Sequence, residues 1–221
     1  MTRKTPLAIA LNEDNRSDRP TPITAFALAR RWWLEGKRLN LSALAEELGI
    51  GRATLMRWVG NKELLMGEIL WSLYYNVFET ARAQADNNPD LKGVDYLARI
   101  YQDTIHEIMY ADPLHTFLRQ DPQFALRVLT SNVSGLQERL IGLWQGLLDE
   151  QVAAGRIQPQ MDTESLAFFI IRIGEGAVSR DIICGRQPGL EPAITALRLL
   201  LGDSASAGGT SSPHPASAAR R

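Results

Sequence analysis

Asn40-Leu41-Ser42-Ala43-Leu44-Ala45-Glu46-Glu47-Leu48-Gly49-Ile50-Gly51-Arg52-Ala53-Thr54-Leu55-Met56-Arg57-Trp58-Val59 is the stretch on which the reading of this chain turns. Asn40 is a good N-cap, because its side-chain oxygen can take up a backbone N–H that the first helical turn leaves free, and a short helix is expected from Leu41 to Leu48. Gly49 admits the positive φ of a sharp turn, and a further helix follows from Gly51 or Arg52 to about Val59. Leu41, Leu44, Leu48, Ile50, Leu55 and Trp58 fall where two short helices crossing steeply must share a small core. Ala45, four residues before Gly49, is small where the second helix passes close over the first. Together these positions specify a helix-turn-helix, the alternative being a helical hairpin inside a bundle.

Upstream, Thr21 caps and Pro22 opens a helix expected to reach about Glu35, with Ile23, Phe26, Ala27, the stem of Arg30, Trp33 and Leu34 on its apolar face and Gly36 ending it. Downstream, Gly60-Asn61 breaks the chain, and Asn61 caps a long fourth helix from Lys62 to about Ala85. Leu65, Ile69, Leu73, Val77 and Ala81 line one face of this helix; Leu70, Tyr74 and Phe78 widen it. Further helices are expected at about 91–110, 113–120, 122–130, 134–154, 163–185 and 191–201, each bounded by Pro, Gly, Asp or Asn. No period-2 pattern runs long enough to argue a strand. The expected fold is all-α: a flexible arm over 1–20, a helix-turn-helix domain over 21–66, a larger helical domain over 67–201 joined to it by the fourth helix, and a Ser-, Ala-, Gly- and Pro-rich disordered tail over 202–221.

Composition narrows the class of function. A chain of 221 residues that is 45% hydrophobic can bury its own core. No run approaches the roughly 18 apolar residues of a membrane helix, and the polar start lacks a secretory signal, so no membrane association and a cytoplasmic location are expected. The single Cys184 can neither close an internal disulfide nor supply a multi-cysteine zinc site, and reads as a buried structural thiol. The net charge is −1, yet residues 1–66 hold 11 Lys and Arg against 7 Asp and Glu, and the rest 13 against 18, which is the right sign for a basic head that touches phosphates. An enzyme is not expected. There is no G-x-S-x-G elbow, no phosphate-binding glycine loop and no metal-ligand spacing, and His106, His115 and His214 are the only histidines. No cofactor and no metal are therefore expected.

The run Ala45-Glu46-Glu47-Leu48-Gly49-Ile50-Gly51-Arg52-Ala53-Thr54-Leu55-Met56-Arg57-Trp58-Val59-Gly60-Asn61-Lys62-Glu63 resembles the signature of TetR-type transcriptional regulators, the resemblance covering roughly Thr21 to Leu70. Gly51 stands where that pattern has a capping serine, and Met56 and Val59 where it has aromatic residues. The resemblance implies that Arg52, Ala53, Thr54, Arg57 and Trp58 on the third helix enter the DNA major groove, with Ser42 and Lys62 on phosphates. Arginine can fork onto guanine O6 and N7, and Thr54 can meet a thymine methyl or a phosphate. The bland alternative for the arginines is a solvated face, and for Trp58 the core.

The same resemblance implies a C-terminal domain that senses a ligand among its central helices and forms a homodimer on near-palindromic double-stranded DNA. Tyr74, Tyr101, His106, Phe117, Trp144 and Phe169 are the candidates for the pocket, for a small, moderately hydrophobic organic effector; plain core is the competing reading for each. Arg172 and Glu175 lie three apart on an otherwise apolar helix and read as an internal or cross-subunit ion pair, with a ligand-binding charge as the alternative. With Ile194 and Leu197 of the last helix they are expected at the dimer interface. The implied function is a ligand-responsive regulator, most commonly a repressor in this family; the alternative is a helical adaptor that uses the helix-turn-helix for protein contacts.

Overall fold

The computed structural model describes Thr5, residues 20–184 and residues 190–202, with the backbone alone for 179–184. Most of the expected arm, the tail from residue 203 and the thiol of Cys184 lie outside the described residues. Among the described residues ten α-helices follow one another: α1 Pro22–Leu34, α2 Leu41–Glu47, α3 Arg52–Val59, α4 Lys62–Asp86, α5 Gly93–Met109, α6 Asp112–Gln120, α7 Pro122–Thr130, α8 Leu136–Ala153, α9 Thr163–Cys184 and α10 Glu191–Leu200. A 3₁₀ turn, Asn132–Ser134, leads into α8. No strand occurs among the described residues, so the fold is all-α. No helix there is long and apolar enough to cross a membrane.

The helix starts are chemically explicit. Thr21 and Thr24 exchange side-chain-to-backbone hydrogen bonds in a capping box, Asn40 accepts from the backbone N–H of Ser42 and Ala43, and Asn61 accepts from that of Leu64. The face that α1 buries differs from the expected one. Ala25, Phe26, Ala29, Trp32 and Trp33 are inside, while Ala27 is exposed and Leu34 is 43% exposed. Both registers have helical spacing, and packing against α3 and α4 selects the one that holds Ala25, Ala29 and both tryptophans.

α4 forms the spine. It packs on α1 and α3 at its start and on α5 and α8 further along, and α8, α9, α10 and α5 close the larger domain. Gly67 sits where α4 crosses the 3₁₀ turn, and a Cβ there would overlap the Ser134 carbonyl oxygen. The centre of the larger core is Trp144, which is fully buried. Its ring meets Phe78 and Tyr101 edge-on at 5.4 and 5.7 Å between centroids, and its indole N–H donates to the Tyr74 hydroxyl at 2.7 Å. A buried indole of this kind combines a large apolar area with a satisfied polar tip.

Candidate functional site

Two features of the molecule could carry function, an exposed short helix at one end and a cavity beyond it. At the exposed end α2 and α3 cross over a core of Leu44, Ala45, Leu55 and Val59, all buried, with Leu41, Leu48, Ile50 and Trp58 packed around it. Gly49 adopts φ +65° in the turn, where any other L-residue would be strained. Gly51 heads α3 with no side-chain cap. Arg52, Ala53 and Arg57 are exposed and Thr54 is half-exposed. Ala53 and Arg57 stand one turn apart on one face. Neither Arg52 nor Arg57 has a hydrogen-bond or ion-pair partner among the described residues. Most other surface arginines among the described residues are paired, as Arg31 is with Glu47 across α1 and α2 at 3.3 Å.

The head is clamped to the rest of the chain by α6 and α7. Arg127 pairs with Glu63 at 2.6 Å, Arg38 with Asp121 at 3.3 Å, and the Gln120 amide donates to the Gly36 carbonyl at 2.8 Å. Trp33 meets Phe117 edge-on at 6.4 Å. The Lys62 ammonium lies 4.1 Å from the centre of the Phe124 ring. Burial, and then the nearby Arg38 charge, hold its pKa below the usual lysine value.

Beyond this joint a cavity of about 470 Å³ opens between the helices. Its walls are mostly apolar: Leu70, Leu73 and Val77 from α4, Ile105 and Ile108 from α5, Leu114 from α6, Leu136 and Leu140 from α8, and Ile171 from α9. Tyr74 and Tyr101 also face it, and burial raises both phenol pKa values beyond the usual tyrosine range. Head residues reach it too, since Arg30, Trp33 and Leu34 of α1 are part of the lining. Glu175 closes one side and pairs with Arg172 at 2.9 Å; Gln137 bonds both of them and also the Leu129 carbonyl. Burial raises the Glu175 pKa, and Arg172 and Gln137 offset part of that rise. The volume and lining fit a small organic molecule.

The model of the tetracyclin repressor-like C-terminal domain matches residues 92–202, half of the chain. The protein belongs to the TetR family. Its structure superposes on that of the transcriptional repressor QsdR of the TetR family from R. erythropolis with a TM-score of 0.75, at 25% sequence identity over 83% of this chain and 96% of that one. The fatty acid degradation regulator FadR from Bacillus halodurans aligns with a TM-score of 0.51 at 16% identity, over 86% and 99% of the two chains, a likeness of fold alone. No curated protein sequence matches the chain. The family is one of transcriptional regulators rather than enzymes, and its members bind DNA and small-molecule effectors as dimers.

Within this TetR-family framework the residues singled out from sequence fall into distinct places. Ser42, Arg52, Ala53 and Arg57 are exposed on the helix-turn-helix; Trp58 is half-buried against its core; Lys62 is committed to the Phe124 ring at the joint. Tyr74, Tyr101 and His106 line the cavity, whereas Trp144 stands behind Tyr74 as core. Phe117 and Phe169 correct the expected lining. Phe117 faces the joint, against Trp33 and Phe124, and Phe169 points outward beside Phe168, 44% exposed. α9 is apolar on nearly every side, so its sequence does not say which aromatic turns inward. The Arg172–Glu175 pair forms within one chain, and Leu197 is completely buried there, which removes it from an interface; Ile194 is half-buried. Arg30 also lines the cavity; helical spacing assigns its stem to the apolar face of α1 but gives no sign that its charged end meets a cavity.

Proposed function

We propose that the protein is a ligand-responsive repressor that binds a near-palindromic operator as a homodimer through α3 and lets go when an effector occupies the cavity. The carrying observation is the pair of unpartnered arginines, Arg52 and Arg57, on an exposed helix set by the Gly49 turn. Unpaired guanidinium groups keep their full donor sets for guanine edges and phosphates. Thr54 and Ala53 complete the reading face; Ser42 serves a phosphate. Repression follows the habit named for QsdR, and action in the cytoplasm follows from the DNA target.

Dimerisation is supported by apolar surface in the C-terminal helices: Phe168 and Phe169 on α9 and Leu199 on α10 are 43, 44 and 57% exposed. Twofold symmetry then sets half-sites roughly 34 to 36 Å apart, one turn of DNA. An effector releases the operator only by preferring the dimer geometry that cannot span those half-sites.

A mobility shift with DNA from upstream of the protein's own gene tests the reading. Binding should weaken linearly in log affinity with log salt, and Arg57→Ala should cost about 1–3 kcal/mol at the operator with the melting temperature unchanged. Failure to bind any duplex at any salt concentration favours a helical adaptor.

A further inference from the structure

We infer that the effector is an amphipathic carboxylate, its apolar body filling the cavity and its headgroup held by Arg30 of the DNA-binding head; this rests on the reading of the cavity as the effector site. Besides its tyrosines, the cavity is lined by four acidic or basic side chains, Arg30, His106, Glu107 and Glu175. Three of them are accounted for. Glu175 is neutralised by Arg172 at 2.9 Å and bonded by Gln137. Glu107 is 70% exposed at the mouth beside His106, itself 58% exposed, where water screens both.

Arg30 is different. The residue is half-buried and has no carboxylate partner among the described residues. Its Nε donates to the Ser72 hydroxyl oxygen at 3.3 Å, and the Ser72 hydroxyl in turn donates to the Ile69 carbonyl at 2.7 Å. Ser72 therefore fixes the guanidinium through Nε and leaves the two Nη groups, the end that grips a carboxylate with two parallel bonds. Tyr74 on the wall supplies a further donor: its oxygen accepts from Trp144, which leaves its O–H to give. In this mostly apolar chamber the free donors of Arg30, with the Tyr74 O–H, select an acceptor-rich anionic head on an apolar tail, while Asn76 and Glu107, which also line it, are exposed to water. A cationic or neutral ligand of the same length would leave the guanidinium desolvated and unpaired.

Thermal shift and titration calorimetry on the DNA-free protein decide this with octanoate, decanoate and dodecanoate, their methyl esters and the matching alkylamines. The acids should bind at least tenfold more tightly than the esters, and the amines should not bind. Arg30→Gln should abolish the preference for acid over ester, losing roughly ten- to a hundredfold in acid affinity while ester affinity changes less than threefold; ester binding shows that the cavity is intact. Esters binding as well as acids, or an acid preference that survives Arg30→Gln, overturns the assignment. Should the variant not fold, the wild-type acid, ester and amine series still decides by itself. A carboxylate that binds through Arg30 but leaves the operator complex unchanged in a mobility shift overturns the release reading and leaves this assignment standing.

Discussion

In the head, Leu44, Ala45, Leu55 and Val59 are sealed by neighbours close in sequence, around one turn fixed by Gly49. In the larger domain Trp144 is sealed by Phe78, Tyr101 and Tyr74, drawn from helices far away along the chain. In the head α3 leaves Arg52 and Arg57 bare, whereas the larger domain ties up Arg172, Arg139 and Arg82 with carboxylates. On the proposed function the contrast is one of duty. A surface that must meet a fixed external shape can be built from local geometry and open charge. A chamber that must discriminate among small molecules needs walls contributed by many helices and few free polar atoms.

The strongest way to break this comparison is Trp144→Ala. Removing the shared wall of the larger core should cost about 3–5 kcal/mol, read as a fall in the guanidinium unfolding midpoint. A loss under about 1 kcal/mol would mean that the chamber does not depend on its distant partners. Next comes Gly49→Ala, which forces a left-handed residue into the turn at about 1–2 kcal/mol. This change should weaken operator binding more than effector binding, because the strain falls on the α2–α3 crossing. Asn61→Ala removes the cap at the start of α4 and should cost about 1 kcal/mol in a thermal melt.

The smallest effect sharpens the electrostatic side. Burial raises the Glu175 pKa above its ordinary 4.5, so between that value and the raised one the folded chain holds this proton more firmly than the unfolded chain does. Its contribution to stability therefore falls as pH rises through that window. Glu175→Gln should remove this part of the slope in urea midpoints followed from pH 4 upward; an unchanged slope would show that Arg172 compensates the carboxylate fully.

How much of this is legible in the amino-acid order follows from the same contrast. The helix-turn-helix can be read because its requirements are local: a cap at Asn40, a small residue at Ala45, a left-handed turn at Gly49. Helix limits throughout fall within about two residues of the expected ones, since Pro, Gly, Asp and Asn mark them. Faces are harder. α1 carries two plausible apolar registers, and only its packing against α4 and α3 selects the one with Ala25, Ala29 and Trp32 inside. The inward or outward choice at Phe169, and at Leu197 against Leu199, depends on neighbours that no local pattern names. The 3₁₀ turn at Asn132–Ser134 leaves no mark in the sequence because three residues carry no periodicity, although Ser134 lies against Gly67.

The joint has a practical corollary for anyone wishing to trade parts between such regulators. One continuous apolar cluster runs through both halves, and Trp33, Gly36, Arg38 and Glu63 of the head have their partners on α6, on α7 and at Asp121 between them. A cassette cut after Met66 would bare Trp33 and Met66 to water and strand those polar partners. Chimaeras with a new target specificity should instead keep the native scaffold and graft only the outward residues of α3.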